Sequence, residues 1–177
     1  MRSILRGSTA PVTASPYFGS RSSIEWPPTI ATPALTRAAV EVMTTLNRDT
    51  SALALASDVS AMTDVTGFGL LGHLHEMTLA SGLSAEVDAA AVPAIRGVLK
   101  LLRSAEPPIA GGSRRNREWV EPWVDWDDGV HEDRRWLLCD AMTSGGLLVA
   151  APDGAGAPGA RIGRLVEGVG GRIAVAP

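Results

Sequence analysis

The segment Ala61-Met-Thr-Asp-Val-Thr-Gly-Phe-Gly-Leu-Leu-Gly-His73 constrains this chain more than any other stretch of it. A run rich in hydroxyl and β-branched residues, reaching Asp64 and Thr66, reads as the end of a strand. Gly67 and Gly69 then punctuate the chain, after which Leu70, Leu71, Leu74 and Met77 recur at helical spacing. Strand, turn and helix must therefore follow one another within a few residues. The turn sets one carboxylate, Asp64, between two hydroxyls, Thr63 and Thr66, at a helix start, where backbone N–H groups have no intrahelical partner and are expected to point outward. Such hard oxygens suit Mg²⁺, which takes one or two carboxylates together with phosphate oxygens. Taken alone, Asp64 reads equally as a cap on the following helix, where an acid contributes about 0.3–1 kcal/mol.

The same glycines spell a decoy. Gly67, Gly69 and Gly72 satisfy G-x-G-x-x-G, and Asp88 stands 21 residues beyond Gly67, near the place of a ribose-binding acid in a dinucleotide fold. The preceding run carries Asp58, Asp64 and several hydroxyls, whereas a central parallel strand is close to continuously apolar. The chain also lacks the succession of βαβ units that a doubly wound sheet requires. Dinucleotide binding is therefore set aside.

Of the 177 residues, 45% are hydrophobic, enough for one domain with a core. A net charge of −3 gives no basic face for nucleic acid. No apolar run approaches the roughly 20 residues needed to span a bilayer, so no membrane partner is expected. A single cysteine, Cys139, rules out an intramolecular disulfide framework and a thiolate zinc site. With no apolar run following Arg2 and Arg6, no secretory signal is expected and the chain reads as cytoplasmic.

Residues 1–31 are rich in Ser and Pro without helical or strand period, and are expected to be a disordered or badly packed leader. The domain is placed at 32–177. It begins with a hydroxyl and a proline, Thr32-Pro33, which suit a helix start. Leu35, Ala38, Ala39, Val42, Met43 and Leu46 continue as an amphipathic helix. Asn47-Arg48-Asp49 interrupts it, and 51–56 forms a second helical piece. Further along, helices are expected at 68–81 and 92–103, and strands at 57–66, 83–88, 136–139, 147–151, 162–166 and 172–175. A long polar loop is expected over 109–134. The alternation implies an α+β domain, a layered sheet covered by helices.

Other groups invite a functional reading. Thr143-Ser144-Gly145-Gly146 is a strand-connecting turn whose hydroxyls and amides also suit an anion. Arg114-Arg115 reads as a solvated loop pair. His73 and His75 stand two apart, on different sides of a helix, and cannot form an i, i+4 metal pair. Cys139, beside Leu137 and Leu138, reads as a small buried hydrophobe. The tryptophans at 119, 123, 126 and 136 read as anchors of the long loop.

Met43-Thr-Thr-Leu-Asn-Arg48, the 61–73 segment, Gly112-Ser-Arg-Arg-Asn116, Val124-Asp-Trp126 and Thr143-Ser-Gly-Gly-Leu-Leu148 together resemble, in order, the C-terminal half of selenophosphate synthetase (selenide, water dikinase). The resemblance covers roughly 33–177. It implies the C-terminal domain of the aminoimidazole ribonucleotide synthetase superfamily, and an intact enzyme that makes selenophosphate, AMP and phosphate from ATP, selenide and water, requires Mg²⁺ and is a homodimer. It favours Asp64 as the metal ligand, with Thr63, Thr66, Gly67, Thr143, Ser144 and Gly145 lining the ATP phosphates.

Departures accompany the match. The half carrying the family's reactive Cys or selenocysteine, its lysine and most of its ATP-binding aspartates has no counterpart here, so no catalytic residue is assigned in this chain. The stretch 153–160 reads as a deleted helix, and Ala141-Met142 replaces a proline-glutamine pair. A fragment inactive by itself is expected. The alternatives are another ATP-dependent member of the superfamily, of the aminoimidazole ribonucleotide synthetase or thiamine-monophosphate kinase type, and a non-catalytic nucleotide-binding or association module.

Overall fold

A computed structural model describes residues 3–7, as backbone, and residues 32–177. Its centre is one mixed sheet. In chain order the elements are β1 (Ser3–Gly7), α1 (Pro33–Thr44), α2 (Arg48–Leu55), β2 (Ala61–Asp64), α3 (Gly69–Ser81), β3 (Leu83–Asp88), α4 (Val98–Leu102), α5 (Gly111–Val120), β4 (Val124–Trp126), α6 (Glu132–Leu138), β5 (Leu147–Pro152), β6 (Ala160–Glu167) and β7 (Ile173–Ala176). The seven strands are ordered β2-β5-β1-β6-β3-β7-β4. β2, β5, β1, β6 and β3 pair antiparallel in succession. β3, β7 and β4 run parallel.

β5 explains the uninterrupted apolar run 147–151. Side chains alternate across a strand, and here both faces are covered. Leu148 and Ala150 enter the main core with Leu71 and Leu74 of α3 and Leu138 of α6. Leu147, Val149 and Ala151 enter a second cluster with Ala54 of α2 and Ala157. α3 is the best-buried helix, its Leu71 and Leu74 fully out of solvent, and it ends on Gly82 in the left-handed conformation at φ 66°. At α1 the Thr32 hydroxyl accepts from the Leu35 N–H at 3.2 Å and Pro33 opens the helix, as the sequence indicates.

The sequence-based expectations differ from the structure at several places, among them the strand expected over 57–66, which is confined to Ala61–Asp64. Five residues of the expected leader, Ser3–Gly7, form β1, hydrogen-bonded between β5 and β6; backbone pairing needs no apolar period, so composition does not reveal it. Residues 1–2 and 8–31 of that leader lie outside the described residues. The polar stretch 109–134 holds α5, a 3-10 turn at Glu121–Trp123, β4 and the start of α6. The strand expected at 136–139 is the end of α6 and the residue that follows it. The helix expected over 92–103 is helical only at Val98–Leu102.

β5 and β6 are both antiparallel to β1 and so run parallel to each other. Such crossovers ordinarily take a dozen or more residues and a helix. Here residues 153–159 make it without one, turning at Gly154, Gly156 and Gly159, all with positive φ.

Candidate functional site

Asp64 is the last residue of β2, paired with Leu147 of β5. The turn after it is stitched to the turn before β5. The Val65 N–H donates to the Gly146 carbonyl at 2.9 Å, the Gly145 N–H to the Val65 carbonyl at 2.8 Å, and the Met142 N–H to the Thr66 carbonyl at 3.3 Å. Two candidate segments far apart in sequence, 63–67 and 143–145, are thereby brought side by side. Gly145 is required for this closeness: a Cβ there would lie 2.5 Å from the Val65 oxygen. Gly69, at φ +71°, permits a similar approach at the start of α3, where a Cβ would stand 2.9 Å from the Asp140 carbonyl.

Two asparagines clamp the arrangement. Asn47, at the α1–α2 junction, donates through Nδ2 to Asp64 Oδ1 at 2.8 Å and to the Gly145 carbonyl at 3.0 Å. Its own Oδ1 is buried with no partner among the described residues. Asn116 of α5 donates to the carbonyls of Gly67 at 2.8 Å and Cys139 at 3.2 Å. α5 is seated against the 139–141 segment by Ser113, which donates to Asp140 Oδ1 at 2.7 Å and accepts from the Ala141 N–H at 3.1 Å. It is held to α6 by the bidentate Arg117–Glu132 pair, whose hydrogen bonding holds the Glu132 carboxyl below its ordinary range. The Arg117 guanidinium also lies over the Trp136 ring, 4.3 Å from its centroid.

The geometry separates the readings left open for Asp64. α3 has no side-chain cap; the Gly69 N–H is satisfied by the Thr66 carbonyl at 2.9 Å. The exposed Asp64 carboxylate has, among the described residues, a hydrogen bond from Asn47 alone. It is not a cap.

Thr66 corrects the expectation of outward amides. Its N–H donates to His73 Nε2 at 3.0 Å, and its hydroxyl lies at the same distance from that nitrogen. Both groups face His73, whose Nδ1 is 3.8 Å from Glu76 Oε2. The Val65 amide is likewise spent on Gly146. Thr63 turns its hydroxyl to the Asp64 carbonyl at 3.3 Å, Gly67 offers open space above its Cα, and Thr143 is exposed.

Asp88 caps a turn, accepting from the Ala91 N–H at 3.0 Å, and β2 is an edge strand paired antiparallel; neither suits a dinucleotide fold. His75 is buried, hydrogen-bonded through Nδ1 to Gly171 and stacked on Trp123 at 4.9 Å. Arg114 and Arg115 are exposed, on a helix rather than a loop. Cys139 is fully buried, and burial pushes its thiol up to about 12. The thiolate is the reactive form. Native protein at pH 8 is therefore expected to resist iodoacetamide for hours while urea-unfolded protein alkylates within minutes; equal rates would place the thiol at the surface.

No local signal marks Asn47 or Asn116 as a site residue. Both stand in segments shared with the resembled family, yet their partners lie 17, 98, 49 and 23 residues away, beyond any local pattern.

Residues 12–175 match the family described as AIR synthase related protein, C-terminal domain. The chain is 48% identical over 113 residues to a selenide, water dikinase of Pseudomonas putida, covering 63% of this chain and 31% of that protein. It is 40% identical over 125 residues to a selenide, water dikinase of Myxococcus xanthus, covering 70% of this chain and 35% of that one. The chain thus spans about a third of the length of the curated relatives it matches. Among solved structures, a thiamine-monophosphate kinase from Stenotrophomonas maltophilia is similar over 82% of this chain and 42% of its own, with 21% identity and a TM-score of 0.48. No helix among the described residues is long and apolar enough to cross a membrane.

Proposed function

The chain belongs to the AIR synthase related C-terminal domain family, and from that premise we propose that it supplies the C-terminal wall of the phosphate site of a selenide, water dikinase, acting on ATP and selenide. The observation that carries this reading is the high identity to proteins of that name, 48% over 113 residues and 46% over 111. The stitched turns around Asp64 give it a physical basis.

The residues present fit a divalent cation. Asp64 offers a carboxylate, and Asn47 Oδ1 is a buried acceptor without a donor among the described residues. Both are hard oxygens of the kind Mg²⁺ selects. No group of three His, Cys, Asp or Glu gathers for a metal among the described residues, so the remaining ligands would come from phosphate oxygens and other carboxylates. When bound, Mg²⁺ neutralises charge on the transferring phosphates. The chain's own work is positional: Asn47 holds the Asp64 carboxylate, His73 fixes the Thr66 backbone, and Gly145 lets Thr143 and Ser144 approach the same edge. ATP as donor and a cysteine with no disulfide partner accord with a cytoplasmic setting.

Purified by itself, the chain is expected to release no AMP from ATP and selenide, because its sole cysteine is buried and one candidate metal carboxylate cannot balance the triphosphate charge. Fused behind the remaining two thirds of the Pseudomonas putida relative, it is expected to give selenide-dependent AMP release. A folded but inactive chimaera, or AMP release by the chain alone, would overturn the reading.

A further inference from the structure

We infer that Asn47 is a positioning residue of the cation site, fixing the Asp64 carboxylate with its amide hydrogens and presenting its carbonyl oxygen to the cation's coordination shell; this rests on the reading of Asp64 as a metal ligand. Asn47, half-buried, differs from an ordinary asparagine in how its bonding positions are used. An amide has two donors and one acceptor oxygen. Both observed bonds are donations from Nδ2 to oxygen acceptors, Asp64 Oδ1 and the Gly145 carbonyl. These two acceptors fix the orientation of the group, since the flipped amide would set its oxygen against two others. The same orientation leaves Oδ1 buried with no donor among the described residues.

A buried acceptor without a partner is unfavourable in a folded protein, and this one is in the side chain that grips the candidate metal ligand. A cation, or a water bound to one, satisfies it. Nor is the residue spent on its own helix: Asn47 stands at the N-cap position of α2 without a side-chain cap hydrogen bond. Its bonds run instead to the end of β2 and to the turn before β5. Partners that orient a ligating carboxylate set metal affinity, and their loss typically costs about 10–100-fold.

The test uses Mn²⁺ alone, added in small amounts to the ¹⁵N-labelled chain, with paramagnetic broadening as the readout. The Asn47 side-chain amide and the backbone amides of Asp64 and Gly145 are expected among the first signals to broaden, and Asp64→Asn is expected to abolish this. Asn47→Ala should need about ten times more Mn²⁺ for the same broadening. In a ¹³C-labelled sample, the Asn47 side-chain carbonyl signal is expected to broaden at least as early as the Asp64 and Gly145 backbone amides. If Asn47→Ala broadens at the wild-type concentration while Asp64→Asn does not broaden, Asp64 binds the cation and the positioning role falls. If the Asn47 side-chain carbonyl broadens later than the Asp64 and Gly145 backbone amides, the carbonyl does not face the shell and that half of the inference falls. If the wild-type signals around Asp64 do not respond, the metal reading itself fails and takes this inference with it. Should Asn47→Ala lose its dispersed spectrum, the wild-type broadening of the Asn47 side-chain amide and carbonyl still decides.

Discussion

Gly145→Ala is expected to lower stability by about 3 kcal/mol, at the upper end of what overpacking costs. The residue is buried, and the added Cβ would sit 2.5 Å from the Val65 carbonyl oxygen. That oxygen is backbone, fixed in β-sheet continuation by the hydrogen bond from Val65 to Gly146, and it already accepts from the Gly145 N–H at 2.8 Å. Relief therefore requires the two turns to separate. Separation breaks that bond, and with it the Asn47 contact to the Gly145 carbonyl at 3.0 Å. Gly145 does not have positive φ, so the cost is one of contact rather than of backbone strain. A thermal melt should shift downward by about 6–12 °C. A shift under about 2 °C, less than even 1 kcal/mol would give, would show that the turns move apart freely and that the site is not the rigid unit described above.

Asp64→Asn is expected to reduce ATP turnover on the order of 100-fold in the active chimaera, with an unchanged melt. If Asp64 ligates the cation as proposed, its charge is worth several kcal/mol in the transition state, and each 1.36 kcal/mol is about a factor of ten. The fold should not register the change: Asp64 is exposed, does not cap α3, and an asparagine carbonyl can still accept the 2.8 Å bond from Asn47. Raising Mg²⁺ should recover only a fraction of the rate. Turnover within about threefold of the parent at limiting Mg²⁺, under 1 kcal/mol of barrier, would remove Asp64 from the metal shell.

Those features of the structure that depend on close neighbours were legible in the sequence. The Thr32 cap, the α1 stripe as far as Met43, the turn over 64–69 and the Gly82 stop each rest on contacts within one helical turn or one loop, and each appears where expected, whereas Leu46, expected to close the stripe, lies beyond the helix and exposed. α5 escaped notice because the positions it buries are Ser113, Asn116 and Val120, two of them polar. A helix that seats itself by side-chain hydrogen bonds carries no apolar period to read. α6 is only seven residues long, and its apolar end, Trp136-Leu-Leu, cannot be told from a strand by pattern. Within the site, Asp64 was legible from its own turn, but the use of the Thr66 amide by His73 was not, since the i, i+7 contact depends on the angle at which α3 leaves the loop.

The pairing of β2 with β5 has a consequence for biosynthesis. Asp64 meets Leu147, and Asn47 reaches Gly145 across 98 residues, so neither bond can form until β5 has been made. At the roughly 5–20 residues per second of a ribosome, β2 waits several seconds with a bare edge after its own synthesis. α3 and β3, by contrast, adjoin in sequence and can meet early. The wall that carries Asp64 thus stays open on a nascent chain until β5 is made, and the exposed edge of β2 is a point at which a chaperone, or another unfinished copy, would find it.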